Sequence, residues 1–331
     1  MIVVPMSKPN VLVLSPPDHY ALRNLEAIKD AANIFVTNEE APAKEFAPKA
    51  DIVLLSGMPG KMVDFPTVLG AATQLKWVHS LSAGVEKLMF PAFANSAVPL
   101  TNARGVFKRS LAEFVVLGML YFTKRVRRLV DNQRANKWDN FYTEFINNKV
   151  MGIVGFGEIG RECALLAKPL GVKIYATRRN PGKSSSDAVL DKIFPADKLH
   201  DMLHEVDFVV AAAPLTPETR HLISTAAFAA MKPTAIVMNV GRGPVIHETA
   251  LIQALQANKI AGAALDVFEV EPLPAESPLW AMENVLISPH CTDRTVNPDW
   301  LDLSMQCFVE NFWRFTKGEA LENVVDKKAG Y

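Results

Sequence analysis

The sequence predicts an α/β protein built from two doubly wound, parallel-sheet domains, and three observations carry that expectation. The first is the run Lys149-Val150-Met151-Gly152-Ile153-Val154-Gly155-Phe156-Gly157-Glu158-Ile159-Gly160, an apolar strand that ends in G-x-G-x-x-G and feeds a helix. The second is the alternation of strand-like and helix-like stretches on both sides of that run. The third is that the strands after it are nearly all apolar, as a parallel sheet covered on both faces requires.

Length and composition bound the possibilities. A chain of 331 residues holds two domains of ordinary size, each with a sizeable core. With 35 basic and 35 acidic side chains there is no net field to draw the protein to nucleic acid or to an anionic membrane. The three cysteines, Cys163, Cys291 and Cys307, are odd in number and have no C-x-x-C spacing, which fits thiols kept reduced in a cytoplasmic compartment and offers zinc no ligand cluster. Met1 to Val4, followed by Pro5, lacks the charged and apolar regions of a leader, and no segment reaches transmembrane length.

In chain order, Val11 to Leu14 reads as a strand, Tyr20 to Lys29 as a helix, and Ile34 to Thr37 and Asp51 to Leu55 as strands, each bounded by Pro, Asn or Gly. Lys76 to His79 continues the alternation and runs into Ser82-Ala83-Gly84-Val85. This small-residue loop is either a plain strand-to-helix turn or a row of backbone N–H groups for a carboxylate. Pro99 to Gly105 reads as a connector, and the domain boundary is placed in it, with residues 1–102 before and a second domain from 103 to 294. Ser110 is positioned to cap an apolar helix from Leu111 to Tyr121, and a second helix follows through Asn136. Its cations Lys124, Arg125, Arg127 and Arg128 suit a solvated or subunit-facing surface better than an anion site.

The glycine motif comes next. Gly155 permits the tight turn, Gly157 leaves no Cβ between backbone and a pyrophosphate, Gly160 lets helix and strand pack closely, and the helix N-terminus faces the anion. The helix from Ile159 to Ala167 stops at Lys168-Pro169, and Val172 to Ala176 is the next strand. Strands follow at Asp207 to Ala211, Thr234 to Asn239, Ile260 to Leu265 and Asn284 to Ser288, with a helix from Glu248 to Ala257. Pro298 to Lys317 is one long terminal helix.

Ligands of open α/β sheets meet the carboxyl ends of strands. Three such ends carry reactive residues: Arg242 in Asn239-Val240-Gly241-Arg242-Gly243, Glu271 in Asp266-Val267-Phe268-Glu269-Val270-Glu271-Pro272, and His290 in Ser288-Pro289-His290. Singly, each has a bland reading as a loop cation, a surface acid or a turn histidine. Together they suit a 2-oxo acid: arginine grips carboxylate or carbonyl, histidine supplies a proton, and glutamate holds the imidazole charged. The histidines at 19, 79, 200, 204, 221 and 247 have no comparable setting and read as structural or solvated; His79, ending a strand beside the Ser82 loop, is the least settled.

The ordered set G-F-G-E-I-G, A-P-L-T-P-E-T-R-H-L-I from Ala213 to Ile223, N-V-G-R-G, A-L-D-V-F-E-V-E-P-L-P and S-P-H resembles the D-isomer-specific 2-hydroxyacid dehydrogenase family over essentially the whole chain. The resemblance implies two Rossmann-like domains with the active-site cleft between them, the terminal segment 295–331 completing the first. It implies that Arg242, Glu271 and His290 are catalytic, that Ser82 to Val85 binds the substrate carboxylate, and that Asp266 holds the nicotinamide amide. It further implies that Pro214, Thr216 and Val240 line the dinucleotide beside Gly155 to Gly160, and that the protein is a homodimer built around the helices before the glycine motif. Formate dehydrogenases resemble this family but place glutamine where Glu271 stands, so Glu271 argues against formate chemistry.

NAD-binding relatives end the strand after the glycine helix with an acid for the ribose 2′-hydroxyl, whereas this chain reads Tyr175-Ala176-Thr177-Arg178-Arg179. Thr177, Arg178 and Arg179 suit a 2′-phosphate, so NADP(H) is the expected cofactor, with NAD(H) tolerated if the arginines are merely solvated. With no regulatory extension after the last helix, the expected reaction is NADPH-dependent reduction of a small 2-oxo acid of the glyoxylate or hydroxypyruvate type. Asp293 and Arg294 after His290 depart from the family's small residues and either shape the pocket or pair with each other. The alternatives are a dinucleotide-sensing binding protein of the C-terminal binding protein type, a dehydrogenase for a bulkier 2-oxo acid, or a phosphite or phosphonate oxidiser of the same fold.

Overall fold

The computed structural model describes residues 8–56 and 63–330, so the chain start at Met1 to Pro5, on which the leader expectation rests, lies outside the described residues. The chain divides into two compact units, residues 1–106 with 295–331, and residues 107–294.

The first unit runs β1 (Asn10–Leu14), a 3-10 helix (Tyr20–Ile28), β2 (Asn33–Thr37), α1 (Glu40–Phe46), β3 (Ile52–Leu55), α2 (Phe65–Ala71), β4 (Trp77–Ser80), α3 (Pro91–Ala94) and β5 (Leu100–Asn102). Its sheet is parallel in the order β2-β1-β3-β4-β5. Both faces are buried, which explains the continuous apolar strands. Leu12, Val53 and Val78 pack with Ala43, Phe65, Val68 and Phe93. On the other face Val11, Val13, Leu54 and Trp77 pack with Leu25 and Ile28 of the 3-10 helix.

The second unit runs α4 (Lys108–Thr123), α5 (Val126–Arg134), β6 (Val150–Val154), α6 (Glu158–Ala167), β7 (Lys173–Arg178), β8 (Lys192–Pro195), α7 (Leu199–Glu205), β9 (Phe208–Ala211), α8 (Thr225–Ala229), β10 (Ile236–Asn239), α9 (Glu248–Gln256), β11 (Gly262–Leu265) and β12 (Val285–Ile287). Its parallel sheet has the order β12-β11-β10-β9-β6-β7-β8, so the chain reverses direction of growth between β6 and β9. That is the position where a doubly wound sheet opens a crevice for a ligand. α7, α8 and α9 cover one face, while Gly118 lets α4 lie close on Met238 and Ala264 of the other.

The chain then returns to the first unit through α10 (Trp300–Lys317). Asp299 caps α10 by accepting from the N–H groups of Leu301 and Asp302, and Gly318 ends it with φ 69°. The helix buries Leu301, Met305, Phe308 and Phe312 against β1, β3 and Trp77, so one face of the first sheet takes part of its cover from the far end of the chain. Beyond the helix, Val325 N–H donates to Leu100 O (2.8 Å), which adds an antiparallel contact to β5.

Four expectations need correction. Leu100–Asn102, read as part of a connector, is a strand; its backbone pairs with β4, and an element of three residues has too few side chains to show a period. Tyr20–Ile28 is helical but of the tighter 3-10 type. Ser110 does not cap α4, which starts at Lys108; its hydroxyl donates to Thr292 O instead. Finally, α10 starts at Trp300, capped by Asp299, rather than at Pro298.

Candidate active site

Arg242, Glu271 and His290 follow β10, β11 and β12, three neighbouring parallel strands, so one edge of one sheet delivers all three. His290 Nδ1 lies 2.7 Å from Glu271 Oε2, and Glu271 Oε1 accepts from Phe268 N–H (3.0 Å). The contact with Glu271 is the main reason the imidazole is held protonated above its ordinary value of 6.5, with burial opposing it. Burial opposes ionisation of Glu271 too, yet the His290 and Phe268 hydrogen bonds and the charges of His290 and Arg242 outweigh it and hold the carboxyl below its usual value. Both shifts describe one charged pair, and the imidazole Nε2 has no hydrogen-bond partner among the described residues.

His290 sits in the left-handed region, φ 50°, and Asp266 is what holds it there. The backbone oxygen of Asp266 accepts from His290 N–H (2.9 Å). Its carboxylate, 1 % exposed, accepts from Ser288 Oγ (2.6 Å), Thr292 Oγ1 (2.7 Å) and the N–H groups of Cys291 (3.1 Å) and Thr292 (3.3 Å). Ser288 and Thr292 are therefore partners of Asp266 that the sequence analysis did not single out. The turn at Arg242 is shaped by Asn239, whose amide accepts from Gly241 N–H and donates to Arg242 O. A Cβ on Gly243 would stand 1.8 Å from Phe268 O, so only glycine lets the arginine turn press against the loop that carries Glu271.

The glycine motif has the shape of a dinucleotide cradle. Gly155 has φ 95°, and a Cβ there would meet Ala213 Cα at 2.6 Å; a Cβ on Gly160 would meet Gly155 O at 2.6 Å. Around Gly157, at the start of α6, nothing stands within 4 Å of a Cβ, which leaves the backbone open to an anion. Phe156 is buried, while Glu158 and Ile159 follow on the first turn of the helix. Ala213 leads into Pro214 and Thr216, and Val240 is buried with its N–H on Ala211 O (3.2 Å), so these residues ring the switch between β6, β9 and β10. Thr216 is tied by its hydroxyl to Glu218 (2.7 Å).

At the end of β7 the three 2′-phosphate candidates separate. Thr177 is buried and uses its carbonyl to hold Gly155 N–H (3.2 Å). Arg178 is half-buried, with its guanidinium on Ser184 Oγ, and the Arg179 charge reaches Glu218. The remaining histidines are structural where their contacts are drawn: His19 and His247 cap helices, His221 stands 2.8 Å from Glu269, and buried His79 is pushed down to about 3 by desolvation and bonds Thr101 (2.7 Å). Asp293 and Arg294 form no ion pair among the described residues. One Asp293 oxygen is buried without a hydrogen-bond partner, and burial raises the carboxyl above its usual value against the opposing charge of His290.

The loop of Ser82 to Val85 belongs to the first unit, at the carboxyl end of β4. Leu81 and Val85 are buried on either side of it. The N–H of Ser82 is held by Ser80 Oγ (3.2 Å), while those of Ala83, Gly84 and Val85 have no partner among the described residues.

A dinucleotide cradle beside a paired acid, imidazole and guanidinium defines a nicotinamide-dependent oxidoreductase of the doubly wound class. Residues 116–292 match the family described as D-isomer specific 2-hydroxyacid dehydrogenase, NAD binding domain, which is more than half of the chain. The protein belongs to that family. It is 31 % identical over 333 residues to a glyoxylate/hydroxypyruvate reductase B of Salmonella paratyphi A, covering 97 % of this chain and 99 % of the relative. A D-isomer specific 2-hydroxyacid dehydrogenase from Xanthobacter autotrophicus Py2, solved with NADPH and MES, matches with TM-score 0.82 and 29 % identity over 98 % of this chain and 100 % of that one. An NADPH-dependent glyoxylate/hydroxypyruvate reductase from Sinorhizobium meliloti, solved with NADP and sulfate, matches with TM-score 0.81 and 26 % identity over the same shares. This chain is accordingly an NAD(P)-dependent oxidoreductase acting on a small molecule. Among the described residues no helix is long and apolar enough to cross a membrane.

Proposed function

We propose that the protein reduces a small 2-oxo acid of the glyoxylate or hydroxypyruvate type to the D-2-hydroxy acid, with NADPH preferred to NADH. The 2.7 Å His290–Glu271 pair carries this reading, because a carbonyl reduction consumes one proton and this is a charged imidazole held ready to give it. When bound in the cradle of Gly155 to Gly160, reduced nicotinamide supplies hydride to C2. His290 Nε2 donates its proton to the carbonyl oxygen, and Glu271 stabilises the imidazolium until then. Arg242 binds the carboxylate and the developing charge on oxygen as a fixed fork, and the amides of Ala83, Gly84 and Val85 take the carboxylate.

The missing acid at the end of β7 and the two arginines in its place support NADPH, as do the structural relatives solved with NADPH or NADP. A homodimer is supported by the segment after α5, where Trp138, Tyr142 and Phe145 are 94 %, 93 % and 82 % exposed. Three of the cations before this segment are engaged locally, Lys124 on Glu144 O, Arg127 on Asp131 and Arg128 on Asp139, which favours a structural part for them over an anion site. Three free thiols agree with a cytoplasmic location.

The test is the initial rate of NADPH and NADH oxidation with glyoxylate, hydroxypyruvate, pyruvate and phenylpyruvate. The expected result is turnover of the two small substrates with NADPH, falling by about 10²–10⁴-fold in His290→Ala. Preference for phenylpyruvate would overturn the substrate, and no turnover with either cofactor would overturn the reaction.

A further inference from the structure

Asn102 ends β5 beside the loop that follows β4, and its side chain is 4 % exposed. Both polar atoms of its amide are engaged: Nδ2 donates to Ala83 O (2.6 Å) and Oδ1 accepts from Arg104 N–H (3.3 Å). Only one orientation of the amide satisfies both, since a carbonyl can accept but not donate and an N–H the reverse. In a trans peptide the C=O and the following N–H point to opposite sides. Pinning Ala83 O toward Asn102 therefore turns Gly84 N–H away from it, into the part of the loop whose amides have no partner among the described residues. We propose that Asn102 is a positioning residue for the substrate carboxylate, setting the direction of the Gly84 N–H without touching the substrate.

The setting reinforces the assignment. Leu81 and Val85 are buried against opposite faces of the sheet, which fixes the ends of the loop but does not by itself set the direction of the Ala83–Gly84 peptide. Asn102 is the side chain that sets it. It is itself held from the far end of the chain, where Asn323 O accepts from Asn102 N–H (3.3 Å) and Asn323 Nδ2 donates to Arg104 O (2.9 Å). Two peptides that could flip against each other are thus stitched into one arrangement.

This assignment rests on the reading of the Ser82–Val85 loop as the carboxylate site, and the experiment separates the two. Kinetics with NADPH are measured on glyoxylate and on its methyl ester, which keeps the reducible carbonyl and loses the charge, for the wild type, Asn102→Ala and Asn102→Asp. The aspartate keeps an acceptor for Arg104 N–H, loses the donor to Ala83 O and adds a negative charge that itself repels an acid, so a KM rise for glyoxylate in the aspartate variant without one in the alanine variant also overturns the role of Asn102. The expected result is a KM for glyoxylate raised by about tenfold in both variants, with kcat within about threefold and the ester little changed. An unchanged KM for glyoxylate, or an equal rise for acid and ester, overturns the role of Asn102. A wild-type enzyme that reduces acid and ester equally well overturns the carboxylate reading of the loop instead.

Discussion

At the scale of single residues, the His290–Glu271 pair sets how the protein responds to pH. His290 titrates above 6.5 in the folded state, so its contribution to stability is complete below 6.5 and is lost as pH rises through the raised value. Glu271 titrates below 4.5, so its contribution is complete above 4.5 and is lost as pH falls through the lowered value. The pair therefore stabilises the fold most between those two ordinary values. The same shift governs catalysis, because reduction needs protonated His290. Glu271→Gln removes the charge that keeps the proton on, and the alkaline limb of the kcat/KM profile is expected to move to lower pH by about one unit while the maximum rate falls. A profile that keeps its alkaline limb in Glu271→Gln would show that another group carries the proton. The cofactor is chosen by residues as well. Arg178→Asp is expected to raise the KM for NADPH by at least about tenfold and that for NADH far less, since an added carboxylate repels a 2′-phosphate and accepts from a 2′-hydroxyl. Equal effects on both would sink the NADPH preference. What sequence reasoning could see at this scale was chemistry that announces itself by residue type after a strand, such as Arg242, Glu271 and His290. What it could not see were the residues that aim them. Asn102, Asn239, Ser288 and Thr292 are ordinary polar residues whose partners lie across a loop or on a neighbouring strand, and only coordinates pair them.

At the scale of elements, legibility followed length and period. The strands β1, β3, β6, β9 and β10 are apolar runs long enough to show what they are, and α4, α9 and α10 carry a helical stripe. β5 and β8 span three and four residues, and β8 in Lys192–Pro195 ends on a proline that argues against a strand. Its backbone pairs with β7 along one edge only, where a proline is tolerated. The tight form of the Tyr20–Ile28 helix is equally invisible to a pattern of apolar positions. Three strand or helix asparagines do similar work: Asn102, Asn239 and Asn311 each clamp a nearby backbone stretch with donor and acceptor together. An amide carries its donor and its acceptor on separate atoms, so it can satisfy a C=O on one side and an N–H on the other.

At the scale of the whole molecule, the alternation of strand and helix was enough to foresee two parallel sheets, since such a pattern has few other ways to bury its apolar faces. The return of the chain to the first unit came from resemblance alone, because no period says which sheet a terminal helix covers. The exposed aromatic segment carries the three most exposed large apolar side chains among the described residues of the second unit, Trp138, Tyr142 and Phe145. Sedimentation is expected to give twice the chain mass for the wild type and the single mass for a Trp138→Ser, Tyr142→Ser variant with its dinucleotide binding intact; a wild-type monomer at micromolar concentration would remove the dimer.

The return of α10 also orders the birth of the protein. A ribosome adds residues from the amino end, so the residues of the second unit, 107–294, are all out before α10 has been made. During that interval Val11, Val13, Leu54 and Trp77 have been synthesised but lack Met305, Phe308 and Phe312 to cover them. The unit that is read first is thus the one that finishes last, and its sheet face, covered until then by the 3-10 helix alone, is the part of the nascent chain for which a chaperone would have the most use.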